Sequence, residues 1–459
     1  MVLISAFTYA SGKEYTADYW QQKGSEFTKN GSYEVALDCF NKSIELDSKN
    51  ASAWMNKGLA LSSMGRYGDA LAAFNESIER DPTLAESWYS KAVDLARLGR
   101  YSESIKVFDG AIKLHPEVAV SWYGKGLALA DLGRYNESIP ALDKAIELDR
   151  DLAGAWYSKA IILAELGKIN ESVDALNRTV ELDPEYEGAW YNLGLIYSNM
   201  GGHGSALGAF DRVTDLDPIN AQGWVGKGNA LLALGRYSES CDSFDKALKI
   251  EPGDAKAWYG SALALRMAGR YKESIKAYNK TLEMEPGNAA AWNGEALALG
   301  EMKNYNSSLE RLDRAIKIDP NEAGYWNNKG MALKETENYS ESVVALERAV
   351  ELDPGCARCW NNLGLSLAKL EKFGQAINAY DRAIDLEPEY LDPWNNKGIA
   401  LVMGSEDYVE ALKCFDRAIK IDPNSMEAWV NKGNALKLDD RGTESNTAFE
   451  KAKKLGYLG

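Results

Sequence analysis

AWMNKGLALSSMGRYGDALAAFNESIERDP runs from Ala53 to Pro82, and AWYSKAIILAELGKINESVDALNRTVELDP runs from Ala155 to Pro184. Both open on a tryptophan, carry a lysine three residues later and close on Asp-Pro, while the spaces between vary. Thirteen tryptophans, from Trp20 to Trp429, share this register. Eleven successive gaps are 34 residues, and the last, from Trp394 to Trp429, is 35. A period this strict marks stacked supersecondary units.

Other positions keep step with the tryptophan. Four residues on stands a glycine or alanine (Gly58, Ala92, Gly126), and seven on an apolar residue (Leu61, Leu95, Leu129). These spacings put all three on one helical face. They predict that the small residue makes room beside the indole for a second helix. Gly-Arg-Tyr recurs at 65–67, 99–101, 133–135, 235–237 and 269–271. The glycine supplies a left-handed helix stop and the tyrosine opens the next helix. That second helix carries its own stripe of alternating large and small residues, such as Ala70, Phe74, Ser77 and Ile78. A proline then ends it, as at Pro82, Pro184 and Pro423, because the residue before proline is pushed out of helical geometry.

This pattern resembles the tetratricopeptide repeat family, with its W-x2-L-G-x2-Y, A-x3-F and P signature, over about residues 17 to 459. The resemblance implies an all-α, right-handed superhelical solenoid of thirteen helix-turn-helix repeats. The chain departs from the family in one respect. Lysine mostly replaces the leucine before the small residue, as at Lys57, Lys125 and Lys329, and should pair with acids of an adjacent helix while its stem covers apolar surface.

Residues 1–16 read as an N-terminal extension, either a cap or the remnant of a signal peptide. Residues 17–288 hold repeats one to eight. Residues 289–459 hold repeats nine to thirteen, where the turn glycine gives way to Lys303, Glu337 and Glu371. Late copies also read WNN where early ones read WY. The extra residue of the twelfth repeat falls in VMGSED, before Tyr408, and should lengthen the inter-helix turn. The last copy has Lys453 where its predecessors are apolar, so TESNTAFEKAKKL reads as a polar cap that ends the array without an appended catalytic domain.

With 68 acids against 52 bases the formal net charge is −16. Such a field repels phosphate backbones and anionic lipid and favours basic protein or peptide partners. No run is apolar and long enough to cross a bilayer. The placement read from the sequence is cytoplasmic, with export as the alternative if residues 1–12 are a signal remnant. Cys39, Cys241 and Cys414 read as buried hydrophobes. Cys356 and Cys359 form a lone CxxC without the second ligand pair a zinc site needs, and no redox or metal role is assigned to them.

Catalytic residues are not found. His115 and His203 are register substitutions, so no Ser-His or Cys-His pair can be built, and the carboxylates recur with the repeat. No cofactor motif is present. The remaining candidate is the face of the first helix turned away from tryptophan. In the related repeats this face lines a concave groove that binds peptides. Two residues after Trp stand Asn56, Asn192, Asn328, Asn362, Asn396 and Asn431. The resemblance to superhelical members, notably the repeat region of O-linked N-acetylglucosaminyltransferases, implies an asparagine ladder that grips a peptide backbone. One side-chain amide offers the donor and the acceptor a peptide group needs. Tyr89, Tyr123, Tyr157, Tyr191 and Tyr259, just after Trp, either line the groove or pack against neighbours. A carboxylate clamp would need paired bases, and only Arg358 and Lys256 approach one. The expected function is a protein-interaction scaffold; the alternatives are a self-associating structural solenoid or a regulatory arm of an enzyme supplied by another chain.

Overall fold

The computed structural model describes residues 15–458. Of the signal remnant or cap expected over residues 1–16, residues 1–14 lie outside them. Twenty-six α-helices, from α1 (Ala17–Lys29) and α2 (Tyr33–Leu46) to α25 (Met426–Leu438) and α26 (Gly442–Lys454), form thirteen hairpins with no strand among the described residues. The all-α helix-turn-helix array read from the sequence is the fold. By contacts the chain divides into two units at Pro218/Ile219, the first holding repeats one to six and the second repeats seven to thirteen. The composition change near residue 289 lies inside the second unit.

Within a hairpin, the small residue four after Trp meets a large side chain, aromatic or leucine, from its own second helix. A Cβ at Gly58 would lie 2.5 Å from Phe74, and one at Gly330 would lie 2.4 Å from Leu346. Phe40, Phe74, Phe108, Phe210, Phe244 and Phe415 are fully buried at this position. A serine one turn before that side chain adds a hydrogen bond. Ser138 Oγ donates to the Gly126 carbonyl (2.6 Å) and Ser342 Oγ to that of Gly330 (2.7 Å).

The indole therefore has a different role from the one its spacing suggested. Only Trp20 and Trp224 are buried; the other eleven are half-buried. Each recorded indole N–H reaches back six residues to the loop between repeats. Trp88 donates to the Pro82 carbonyl (2.9 Å), Trp156 to Arg150 (3.1 Å) and Trp429 to Pro423 (3.0 Å). The indole thus ties the first helix to the exit of the preceding second helix. The expected lysine pairing is also present. Lys125 bonds Asp109, Lys159 bonds Asp143 and Lys397 bonds Asp381, each at 2.6 Å and each on the preceding second helix. The same ammonium lies over its own indole, 5.7 Å from the ring centroid for Lys125 and Trp122.

The inter-helix turn is left-handed in every repeat. Gly65 and Gly99 have φ of +73° and +72°, and Lys303, Glu337 and Glu371 adopt +58°, +60° and +58° without glycine's freedom. A backbone N–H closes the turn onto the helix, as from Arg100 to the Leu95 carbonyl (2.8 Å). The extra residue of repeat twelve does not lengthen this turn. It lengthens the helix, Leu391–Ser405, to 15 residues, and Glu406 then takes the left-handed position at +53°.

Candidate peptide-binding face

Within each unit, residues one and two after Trp on some first helices meet those of the neighbouring first helix. In the second unit these residues interlock. Asn328 Nδ2 donates to Asn293 Oδ1 (2.9 Å), Asn362 to Asn327 (2.9 Å), Asn396 to Asn361 (3.0 Å) and Asn431 to Asn395 (2.9 Å). The residue two after Trp thus donates to the residue one after Trp in the preceding repeat. The WNN of the late copies is an inter-repeat rung, with the donor and acceptor supplied by successive hairpins.

The acceptors Asn327, Asn361 and Asn395 are buried, as is Asn362, while Asn328, Asn396 and Asn431 are half-exposed. Each donor amide commits one of its two N–H groups to the rung. In the first unit, Asn192 donates to the Tyr157 hydroxyl (3.0 Å), so tyrosine and asparagine share one role. Asn56 is half-exposed.

The five tyrosines are half-buried and pack. Tyr89, Tyr191 and Tyr259 meet Phe108, Phe210 and Tyr278 of their own second helices edge-on, with ring centroids 6.1, 5.9 and 6.0 Å apart. Tyr157 tilts against Tyr186 at 4.7 Å. The Tyr123 hydroxyl lies 2.9 Å from where a Cβ on Gly154 would stand, so that glycine admits it. Burial raises the phenol pKa of Tyr89 and Tyr259.

One set of residues escaped the sequence reading. Five after Trp stand Leu59, Val93, Leu127, Ile161, Leu195, Leu263, Leu297, Met331, Leu365 and Ile399. At about 100° per residue this position lies roughly 140° from the indole, off the stripe that packs the hairpin. None is buried, and Leu195 is 40% exposed. The signal was an apolar residue recurring at a position that is never fully buried, although Leu59, Val93 and Leu263 also pack against the core.

In the second unit these side chains frame two clefts between consecutive first helices. One, of about 120 Å³, is lined by Leu297, Met331, Asn328 and Glu335 among others. The other, of about 350 Å³, is lined by Leu365, Asn396, Ile399, Met403, Phe373 and Lys369 among others. Each sets a ladder asparagine beside apolar side chains. Among the described residues, no cluster of three or more metal-ligating side chains occurs, and no helix is long and apolar enough to cross a membrane. The CxxC departs from its sequence reading: Cys356 and Cys359 are joined by a disulfide, whereas Cys39, Cys241 and Cys414 are free and buried as expected.

Models described as tetratricopeptide repeat match residues 51–84, 89–155, 191–255, 265–332, 323–356, 357–390 and 391–425, and one described as TPR repeat matches 24–65 and 160–201. The chain is a tetratricopeptide-repeat protein. Such solenoids typically mediate protein–protein interactions and are generally non-enzymatic. Among solved structures, the chain is similar to the APC/C hetero-tetramer Cut9–Hcn1 (15% identity, TM-score 0.47, 95% of this chain and 99% of the other). It is also similar to yeast Tom70 (15%, 0.41, 96% and 92%) and to YrrB, a TPR protein with an unusual peptide-binding site (23%, 0.35, 41% and 96%). No curated protein matches the chain.

Proposed function

We propose that this TPR protein is a scaffold whose first-helix face holds extended segments of other proteins, with the site centred on repeats nine to thirteen. The observation that carries the reading is the cleft of about 350 Å³ in which Asn396 stands beside Leu365, Ile399 and Met403. An extended chain points alternate side chains to opposite sides. An apolar side chain can enter the cleft while the neighbouring peptide group meets the half-exposed amide of Asn396. The same arrangement recurs at Asn328 with Leu297 and Met331.

The interlocked rungs favour this division of labour. Each amide is held in place by the preceding repeat before any ligand arrives, so little rotamer freedom is lost on binding. Tyr89, Tyr123, Tyr157, Tyr191 and Tyr259 serve the face chiefly as supports. The net charge of −16 favours segments carrying lysine or arginine beside the apolar anchor.

An array of 15-residue peptides, varied in charge and in one central apolar residue, tests the reading on the full chain. Peptides that combine a basic flank with a leucine-sized anchor should bind. Replacing Asn328, Asn362 and Asn396 together by Ala, or Ile399 by Asp, should weaken them about tenfold or more, the loss of one or two good contacts. Unchanged affinity in both variants would refute the site.

A further inference from the structure

Five cysteines fall into two chemical classes. Cys39, Cys241 and Cys414 are fully buried in second helices, where burial raises their thiol pKa, to about 11 for Cys39 and Cys414. Such thiols are inert. Cys356 and Cys359 stand apart from them. They bracket the first turn of the helix Ala357–Lys369, with Cys356 at its N-cap and the two sulfurs bonded.

The pair is asymmetric. Cys359 is 2% exposed, within the cluster of Leu346, Val350 and Leu363, while Cys356 is half-buried at the edge of that cluster. The Cys359 backbone N–H donates to Cys356 Sγ (3.1 Å). This N–H is one of those left unsatisfied at a helix start, and it is placed to stabilise the negative charge that Cys356 Sγ takes on when the disulfide is reduced. Arg358, exposed, lies between the two cysteines in sequence. One accessible sulfur, a donor aimed at it and a shielded partner three residues on are the parts that thiol–disulfide exchange requires.

We propose that Cys356–Cys359 is a redox-active pair that exchanges with dithiols, with Cys356 as the attacked sulfur. A thiolate of the reductant bonds to Cys356 Sγ as the Cys356–Cys359 bond breaks. The electron pair leaves on Cys359 Sγ, which takes up a proton. The second thiol of the reductant then attacks its own sulfur in the mixed disulfide and releases the Cys356 thiolate. Two electrons pass from the dithiol to the protein and the dithiol becomes a disulfide; of its two thiol protons, one ends on Cys359 Sγ and the other goes to solvent, leaving Cys356 as the thiolate. The pair also precedes two rungs of the ladder, since Asn361 and Asn362 follow Cys359 by two and three residues and bond Asn396 and Asn327.

The test uses the full chain with dithiothreitol as reductant and glutathione disulfide as oxidant, read by alkylation and mass spectrometry. Two thiols, those of Cys356 and Cys359, should appear and disappear together, while Cys39, Cys241 and Cys414 stay unmodified until the protein is unfolded. In Cys359→Ser, Cys356 should form a glutathione adduct at least about tenfold faster than Cys39 or Cys414. In Cys356→Ser, the shielded Cys359 should not. The wild-type titration stands even if a variant fails to fold, as judged by circular dichroism. Free thiols at 356 and 359 that glutathione disulfide leaves unchanged in the folded wild type would overturn the proposal. So would a Cys356 that reacts no faster than Cys39 in folded Cys359→Ser.

Discussion

At the scale of single residues, the fold depends on a few positions where size or backbone sign is constrained. Gly330 faces Leu346 so closely that a methyl group would lie 2.4 Å from its Cγ. Gly330→Ala should therefore cost about 1–3 kcal/mol, the usual penalty of overpacking, as a fall in denaturant midpoint. Glu337 has the opposite problem, a side chain at φ +60°. Glu337→Gly should stabilise the chain by about 0.5–1 kcal/mol, because the strain of the left-handed conformation exceeds glycine's entropic cost. Asp94 is the third case. It is 1% exposed and accepts hydrogen bonds from Ser62 (2.7 Å) and, more weakly, Arg97 (3.4 Å); burial outweighs both and raises its pKa. A carboxyl with a raised folded pKa penalises the folded state once ionised. The penalty is absent below the unfolded pKa of about 3.9 and grows as pH rises through the folded one. Asp94→Asn should flatten that part of a stability-versus-pH curve, read from melts between about pH 3.5 and 7.

The sequence made much of this scale legible. Small residues four after Trp and the left-handed turn were read correctly, because glycine at a fixed offset has few physical explanations. The partner of the small residue was not. Periodicity places Gly58 and Trp54 on one face, but only three-dimensional packing shows that the ring pressing on Gly58 belongs to Phe74. The CxxC was passed over for a similar reason. Two cysteines without further ligands exclude zinc, yet the N-cap position that gives them chemistry depends on where the helix starts.

Helices are joined to helices by the indole and the lysine together. The Trp N–H holds the loop, and the lysine clamps the preceding second helix over the ring. Sixteen residues before Lys125 stands Asp109, but the equivalent positions for Lys57 and Lys91 hold Asn41 and Asn75. Burial lowers the pKa of both lysines. Asn75→Asp should complete the missing ion pair and add a few tenths of a kcal/mol, discounted for partial exposure, in a melt at low salt. High salt should erase the gain. The asparagine rungs act at the same scale. Their offset from the tryptophan was readable as a row, but the bonds between successive repeats were not. One-after-Trp and two-after-Trp residues meet only when adjacent helices are brought side by side, so Asn361 and Asn396 appear unrelated along the chain.

For the molecule as a whole, charge and repetition are what the proposed kind of partner rests on. An acidic chain with two such clefts between first helices of the second unit suits a long basic segment that touches several repeats in turn. Binding of such a segment should weaken as salt rises from 50 to 500 mM, about tenfold or more if several ion pairs form, because exposed charges are screened. Repeat number and helix pairing were legible from thirteen evenly spaced tryptophans. The proposed binding face was only half legible: the asparagines were read as candidates for it, while the apolar residues five after Trp were hidden among the many leucines of an amphipathic helix.

Hydrogen exchange of the full chain with and without its best array peptide tests the central claim most directly. Protection should concentrate in the first helices of repeats nine to thirteen, with Leu391–Ser405 and its neighbours slowed most and the second helices little changed. Protection confined to second helices, with the first-helix amides exchanging as before, would contradict the account.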